Sequence, residues 1–187
     1  MDPDHDLVER TVAGELVAFE TLVERHRPVV YRVAARTVGR DDADDVTQDA
    51  FLRAFHRLSG FRGDAPFRSW LLRITHNAAL NHIARRVPEP VDPTEAPLED
   101  RDPDYDRMPA ESLEEHERRD RLEAKLRLLS APHRAVLVLR DLEGLSYDEI
   151  AEVTDTPLGS VKGRLHRARA ELIDLLRRNT YDWELPR

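Results

Sequence analysis

Between residues 158 and 175 the apolar side chains Leu158, Val161, Leu165, Ala168, Leu172 and Leu175 recur at alternating spacings of three and four. That is the buried stripe of an amphipathic helix. Thr156 as N-cap and Pro157 at the first helical position mark its start. The helical period also runs through 19–39, 41–58 and 67–86 in the first half, and through 112–129, 132–142 and 146–154 in the second. Pro28 is expected to kink or break the helix of 19–39. Acids open the helix of 41–58, where the dipole favours them. Ser146 and Glu149 have the spacing of a capping box. "SGFRGDAP", residues 59–66, carries two glycines and a proline and reads as a loop. No stretch alternates with the period of a strand and no internal repeat is found, so the pattern predicts an all-α fold.

Charge divides the chain. The 187 residues carry a net charge of −8, which at first argues against a nucleic-acid partner. Residues 87–117, however, hold twelve acids, two arginines and six prolines, a net −10, which leaves about +2 for everything else. A segment so rich in proline and acid cannot bury a core and reads as an extended linker. The predicted organisation is a helical domain at 1–87, a linker at 88–111, a second helical domain at 112–179 and a tail at 180–187 containing Trp183. The two domains are expected to share little contact in the free protein, or to be clamped together by an inhibitory partner.

Several chemistries are disfavoured. There is no cysteine, hence no disulfide and no thiolate metal site. No apolar run reaches ~18 residues, so no membrane span is expected. The N-terminus "MDPDHDLVER" is acidic and lacks a signal-peptide core, which points to a cytoplasmic protein. Glycine-rich phosphate loops and His-Glu-x-x-His helices are absent. The runs Asp2, Asp4, Asp6 and Asp102, Asp104, Asp106 have Leu7 and Arg107 where a calcium loop needs glycine. His76 and His82 are six apart and do not share a helix face. No enzymatic activity, cofactor or metal is therefore expected.

The second domain ends in two helices, 146–154 and 157–178, joined by the tight turn "DTP". A basic second helix after such a turn is the helix-turn-helix pattern. Ala151 sits where the two helices cross and has to be small. At 100° per residue, Ser160, Gly163, His166 and Arg167 face away from the apolar stripe, with Lys162 at the flank. Gly163 costs about 1 kcal/mol relative to alanine inside a helix. Its place on the outward face suggests close approach of the backbone to a groove floor; the competing reading is a surface accident.

"LSAPHRAVLVLRDLEGLSYDEIAEVTDTPLGSVKGRLHRARAEL" resembles region 4 of extracytoplasmic-function (ECF) sigma factors. "DADDVTQDAFLRAF" and "FRGDAPFRSWLLRITHNAALNHIARR" resemble their region 2. The resemblance spans about residues 14 to 178 in the family's order. It implies a non-enzymatic factor that binds core RNA polymerase at the beta-prime clamp and beta flap, recognises the −35 and −10 elements of promoter DNA and melts the −10 region. It also implies control by an anti-sigma factor. By resemblance, Asp45, Gln48, Asp49 and Arg53 dock on polymerase. Phe61, Arg62, Gly63 and Asp64 form a loop that holds a flipped −10 base, and Arg73, His76, Asn77 and Asn81 lie along the melted strand. Ser160, Lys162, Gly163, Arg164, His166 and Arg167 meet the −35 element; relatives often carry serine where Gly163 stands and an acid where Asn81 stands. Phe67, Trp70, Leu71 and Ile74 are assigned to the core. The acidic linker, by resemblance, enters the channel of nascent RNA, and its alternative is a solubilising spacer. The rivals are a stand-alone helix-turn-helix regulator, which leaves residues 64–86 unexplained, and a protein-interaction adaptor.

Overall fold

The structure, a computed structural model, describes residues 3–85 and 121–178. Every regular element among them is helical. The first half holds α1 (His5–Val12), α2 (Leu16–Val38), α3 (Ala43–Arg57), a 3-10 turn (Leu58–Gly60) and α4 (Phe67–Arg85). The second holds α5 (helical over 121–128), α6 (Ala131–Leu137) running into a π turn (Val138–Leu142), α7 (Tyr147–Thr154) and α8 (Leu158–Arg178). The linker 88–111, the tail 180–187 and residues 112–120 of the expected fifth helix lie outside the described residues.

In the first half, α2, α3 and α4 pack around Leu22, Val30, Val46, Phe67, Leu71 and Leu72, all fully buried. The Asp4 carboxylate secures α1 by accepting hydrogen bonds from Arg25 and from His26 Nε2, the latter at 2.8 Å. Of the kink or break expected at Pro28, the break does not occur: α2 runs through the proline. Pro28 and Glu24, whose carbonyl loses its amide partner, both lie on the exposed side of the helix, while Val29, Val30 and Val33 hold the buried side. A free carbonyl facing solvent costs far less than one in a core.

In the second half the capping box is present. The Glu149 amide donates to Ser146 Oγ at 3.2 Å, and the Ser146 amide donates to Glu149 Oε2 at 2.8 Å. Asp155 turns the chain out of α7 in the left-handed region at φ 50°. Thr156 spends its hydroxyl on the Thr154 carbonyl at 3.1 Å, and α8 opens at Leu158 on bonds to the Pro157 carbonyl. The segment 132–142 is not one uniform helix: its last turn widens to a π turn closed by the Glu143 amide on the Val138 carbonyl. Such turns are rare and re-aim the residues that follow.

The expectation that the two halves share little contact is overturned. Their buried apolar residues form one continuous cluster. The reason lies in α4, which is buried on two faces and keeps only a narrow polar stripe exposed. One face packs on α2 and α3. Ser69 and His76, seven residues apart, mark the other, and both are buried. The Ser69 hydroxyl bonds Glu149 Oε1 at 3.3 Å. At the end of the π turn the Glu143 side chain is only 2% exposed. Its carboxylate accepts bonds from Arg32 Nε and Nη2 at 3.1 and 2.8 Å and from Arg36 Nη1 at 2.7 Å. Arg68 donates to its backbone carbonyl at 3.3 Å. Around this centre Arg40 pairs with Glu123 at 3.1 Å, Arg73 with Asp155 at 3.5 Å, and the Arg134 guanidinium donates to the Thr37 carbonyl.

Burial pushes the His76 imidazole down to about 4, and the positive Arg164 acts in the same direction. An unfolded histidine takes its proton near pH ~6.5. Between these values the unfolded chain binds a proton that the folded chain excludes. Stability is therefore intact above pH ~6.5 and declines as pH falls toward about 4. His76→Gln should lack this component. In urea unfolding, the stability of wild type relative to His76→Gln should be constant above pH ~6.5 and fall steadily below it. Parallel pH profiles would contradict the burial of a neutral imidazole.

Candidate nucleic-acid interface

Regular backbone carries most of the predicted residues, which fixes their directions. On α8 the apolar stripe of Val161, Leu165 and Ala168 is buried, and Ser160, Lys162, His166 and Arg167 are exposed on the opposite side. Gly163 is half-buried, and a Cβ built on it meets nothing within 4 Å. The glycine is thus not required by packing inside this chain. Arg164 is half-buried, donates to Thr156 Oγ1 at 3.3 Å and faces the His76 side of α4.

Lys162 stands at the flank, its ammonium 5.9 Å from the centre of the Tyr147 ring. Arg140 approaches the same ring at 4.8 Å. Arg140 and Tyr147 extend the basic edge of α8 onto the preceding helices. The sequence pattern missed them because Arg140 sits in an otherwise apolar run and Tyr147 at a helix start. Arg169 is drawn away from this face by Asp141, to which it donates from Nε at 3.0 Å.

On α4, Arg73, Asn77 and Asn81 follow one another at four-residue spacing, which places them on one stripe, and all three are exposed. An amide can both donate to and accept from a base edge. His76 departs from this stripe: it was assigned to the DNA face and is buried under the second half of the chain. The loop before α4 turns at Gly63, φ 73°, so that Arg62 and Asp64 pair at 2.9 Å across the tip. Phe61 packs its ring at 5.1 Å from Trp70 and 5.9 Å from Phe67. Trp70, assigned to the core, is half-buried in this aromatic cluster. The loop, Ser69, Trp70 and Arg73 line a cavity of about 320 Å³ whose far wall is Glu152 of α7.

On α3, Asp45 and Gln48 are exposed, and Asp49 accepts from Arg53 Nε at 2.8 Å one turn later. Beside them runs an open apolar groove between α2 and α3, lined by Leu16, Phe19, Val23, Phe51, Leu52 and Phe55. Leu16 is 61% exposed and Leu52 54%. Sequence reasoning singled out the polar residues of α3 and missed this groove. Its signal was Leu52 and Phe55, two apolar positions in 41–58 beyond what one buried face needs. Among the described residues no group of His, Asp or Glu is arranged to hold a metal, and no helix is long and apolar enough to cross a membrane.

Comparison with known proteins follows this division. Residues 22–88 match sigma-70 region 2, and residues 119–172 match sigma-70 region 4. The RNA polymerase sigma-H factor of Pseudomonas aeruginosa is 38% identical, covering 92% of this chain and 93% of its own length. The ECF RNA polymerase sigma-E factor of Escherichia coli is also 38% identical, over 91% and 92%. Among solved structures, CnrH in complex with the cytosolic domain of CnrY superposes with a TM-score of 0.71 at 32% identity, covering 96% of this chain and 100% of that chain. The sigma factor RpoE of Bartonella quintana, in complex with the anti-sigma factor NepR, shares the fold with a TM-score of 0.63 at 22% identity. The two helical units and their order are those of these relatives, and the chain belongs to the extracytoplasmic-function group of sigma-70 factors, the alternative sigma factors that direct transcription initiation by RNA polymerase.

Proposed function

We propose that this sigma factor divides promoter recognition between α8 and α4. α8 enters the major groove of the −35 element, with Arg167 at base edges and Lys162 on a phosphate. The stripe of Arg73, Asn77 and Asn81, with the Phe61–Asp64 loop, receives the melted −10 strand. The α2–α3 groove and the polar face of Asp45, Gln48, Asp49 and Arg53 dock on core polymerase. The supporting observation is that one chain exposes polar stripes on two separate helices, α4 and α8, beside an apolar groove that neither stripe uses. The factor itself performs no chemical step, works in the cytoplasm, and is held in check by an anti-sigma protein, as CnrH is bound by CnrY.

Run-off transcription with core polymerase and genomic promoter fragments tests the reading. Promoter-specific transcripts on adding this chain support it. DNA binding without them would favour a stand-alone helix-turn-helix regulator.

Lys162→Ala should weaken holoenzyme binding about equally on all promoters and lower the salt slope by about 1. Arg167→Ala should cost about 1–3 kcal/mol and relax discrimination at one −35 position. Binding titrations on promoter variants at several salt concentrations separate the two. Gly163→Ala has free space in this chain, so it should raise stability by up to about 1 kcal/mol. It should also weaken −35 binding if the backbone approaches the groove there; unchanged affinity would make the glycine incidental. Asn77→Ala should impair promoter opening more than closed-complex binding, read by permanganate reactivity of the −10 thymines. Equal opening by variant and wild type would remove Asn77 from the −10 site.

A further inference from the structure

Asp4 stands at the N-cap of α1 yet makes no side-chain cap. Its buried carboxylate is turned instead toward α2, where it accepts from Arg25 and from His26 Nε2 at 2.8 Å. Facing a carboxylate, that nitrogen carries the ring hydrogen, and the bond fixes the orientation of the imidazole. His26 is buried as well, and its ring meets Phe67 edge to face at 5.3 Å. Phe67, fully buried at the start of α4, meets Phe61 edge to face at 5.9 Å and lies 5.6 Å from Trp70. Phe61 and Trp70 are walls of the loop cavity. α1 also lies against the 3-10 turn of Leu58–Gly60, which leads into that loop. The polar tip of the loop, Arg62 and Asp64, projects into solvent, so its inner anchor is Phe61.

We propose that Asp4 and His26 are positioning residues for the Phe61–Asp64 loop. The carboxylate orients the imidazole, the imidazole holds Phe67, and Phe67 holds Phe61 and Trp70. The cavity then has one shape when a displaced −10 base arrives. The inference rests on the assignment of that loop to the −10 strand made above. Neither Asp4 nor His26 lines the cavity; both act through the rings between. A site that receives a base needs its side chains locked by packing and by hydrogen bonds behind them. Docking of α1 does not by itself call for this pair, because Leu7 and Val8 already bury the apolar side of α1. Apolar side chains in place of a buried polar pair would dock the helix as well or better. A bond of fixed direction is what sets the rotation of a ring.

The test uses the full chain, free and in holoenzyme, on a promoter that the run-off assay identifies. His26→Gln keeps a donor near the Nε2 position for Asp4 but takes away the ring that meets Phe67. If the pair served only to dock α1, this variant would behave like wild type. Asp4→Asn keeps the ring and removes the carboxylate, and it carries the test if circular dichroism shows that His26→Gln fails to fold. Val30→Ala, on the same buried face of α2 one turn later, supplies a loss of stability with the Asp4–His26–Phe67 series in place. Promoter opening, read by permanganate reactivity of the −10 thymines, should fall about three- to tenfold in His26→Gln and in Asp4→Asn, the worth of one ring pair. Closed-complex affinity should be unchanged. In the free chain, Trp183→Phe leaves Trp70 as the single tryptophan. In that background His26→Gln and Asp4→Asn should shift the Trp70 emission to the red and strengthen its quenching by acrylamide. Val30→Ala should show neither the spectral change nor the loss of opening. An unchanged Trp70 signal in His26→Gln and Asp4→Asn would show that the series of rings does not reach the loop and overturn the proposal. A changed signal with normal opening would overturn it too, as would an equal loss of opening in Val30→Ala. Failure of the loop's −10 assignment has a different signature, namely normal promoter opening by holoenzyme carrying Arg62→Ala.

Discussion

A carboxylate withdrawn from water between two parts of a chain has to be compensated, or the parts separate. Glu143 is that group here. The π turn delivers it to the seam, and Arg32 and Arg36 reach it from two successive turns of α2. Breaking a fully buried pair costs roughly 3–5 kcal/mol, and less here because Arg32 stays half exposed to solvent. With Glu143 held, α7 lies along α4, Glu149 comes within reach of Ser69, and His76 loses its solvent. Burial of the second face of α4 adds a non-directional contribution to this charge pairing. The pairing selects which surface α7 covers.

The consequence for function is an inequality between two surfaces that a simple two-domain picture treats alike. The exposed side of α8 is free of the seam, apart from Arg164 at its margin. The stripe of α4 meets the seam at Arg73, which pairs with Asp155, and Glu152 lines the loop cavity. The α2–α3 groove lies apart from both and stays open. In this conformation the α2–α3 groove and the outer side of α8 are both open to solvent, and the start of α4 lies beside the seam.

The elements that obey a simple period were legible in the sequence. The stripe on α8, the Ser146–Glu149 capping box, the loop of 59–66 and the buried Phe67, Leu71 and Ile74 follow from spacing and side-chain chemistry alone. Resemblance to ECF sigma factors supplied the order of the units and the stripe of Arg73, Asn77 and Asn81. Features that depend on the partner element were not legible. Pro28 remains inside a helix because its side of α2 faces solvent, which no local rule reports. The π turn is invisible to a 3.6-residue period. His76 looked outward because one face of α4 was assigned to the core, whereas the helix is covered on two. The acids of 141–155 carry no periodic signal, and the contacts of Glu143 and Asp155 appear only when α2 and α4 are placed opposite them.

The closed arrangement is tested most directly by a distance across the seam. Glu9→Cys on α1 and Arg177→Cys on α8 introduce two exposed labelling sites into a chain without native cysteine. Pulsed electron–electron resonance between spin labels at these sites should give a narrow distance distribution in the free chain. A broad distribution in the free chain, like that of two domains on a loose tether, would contradict the account.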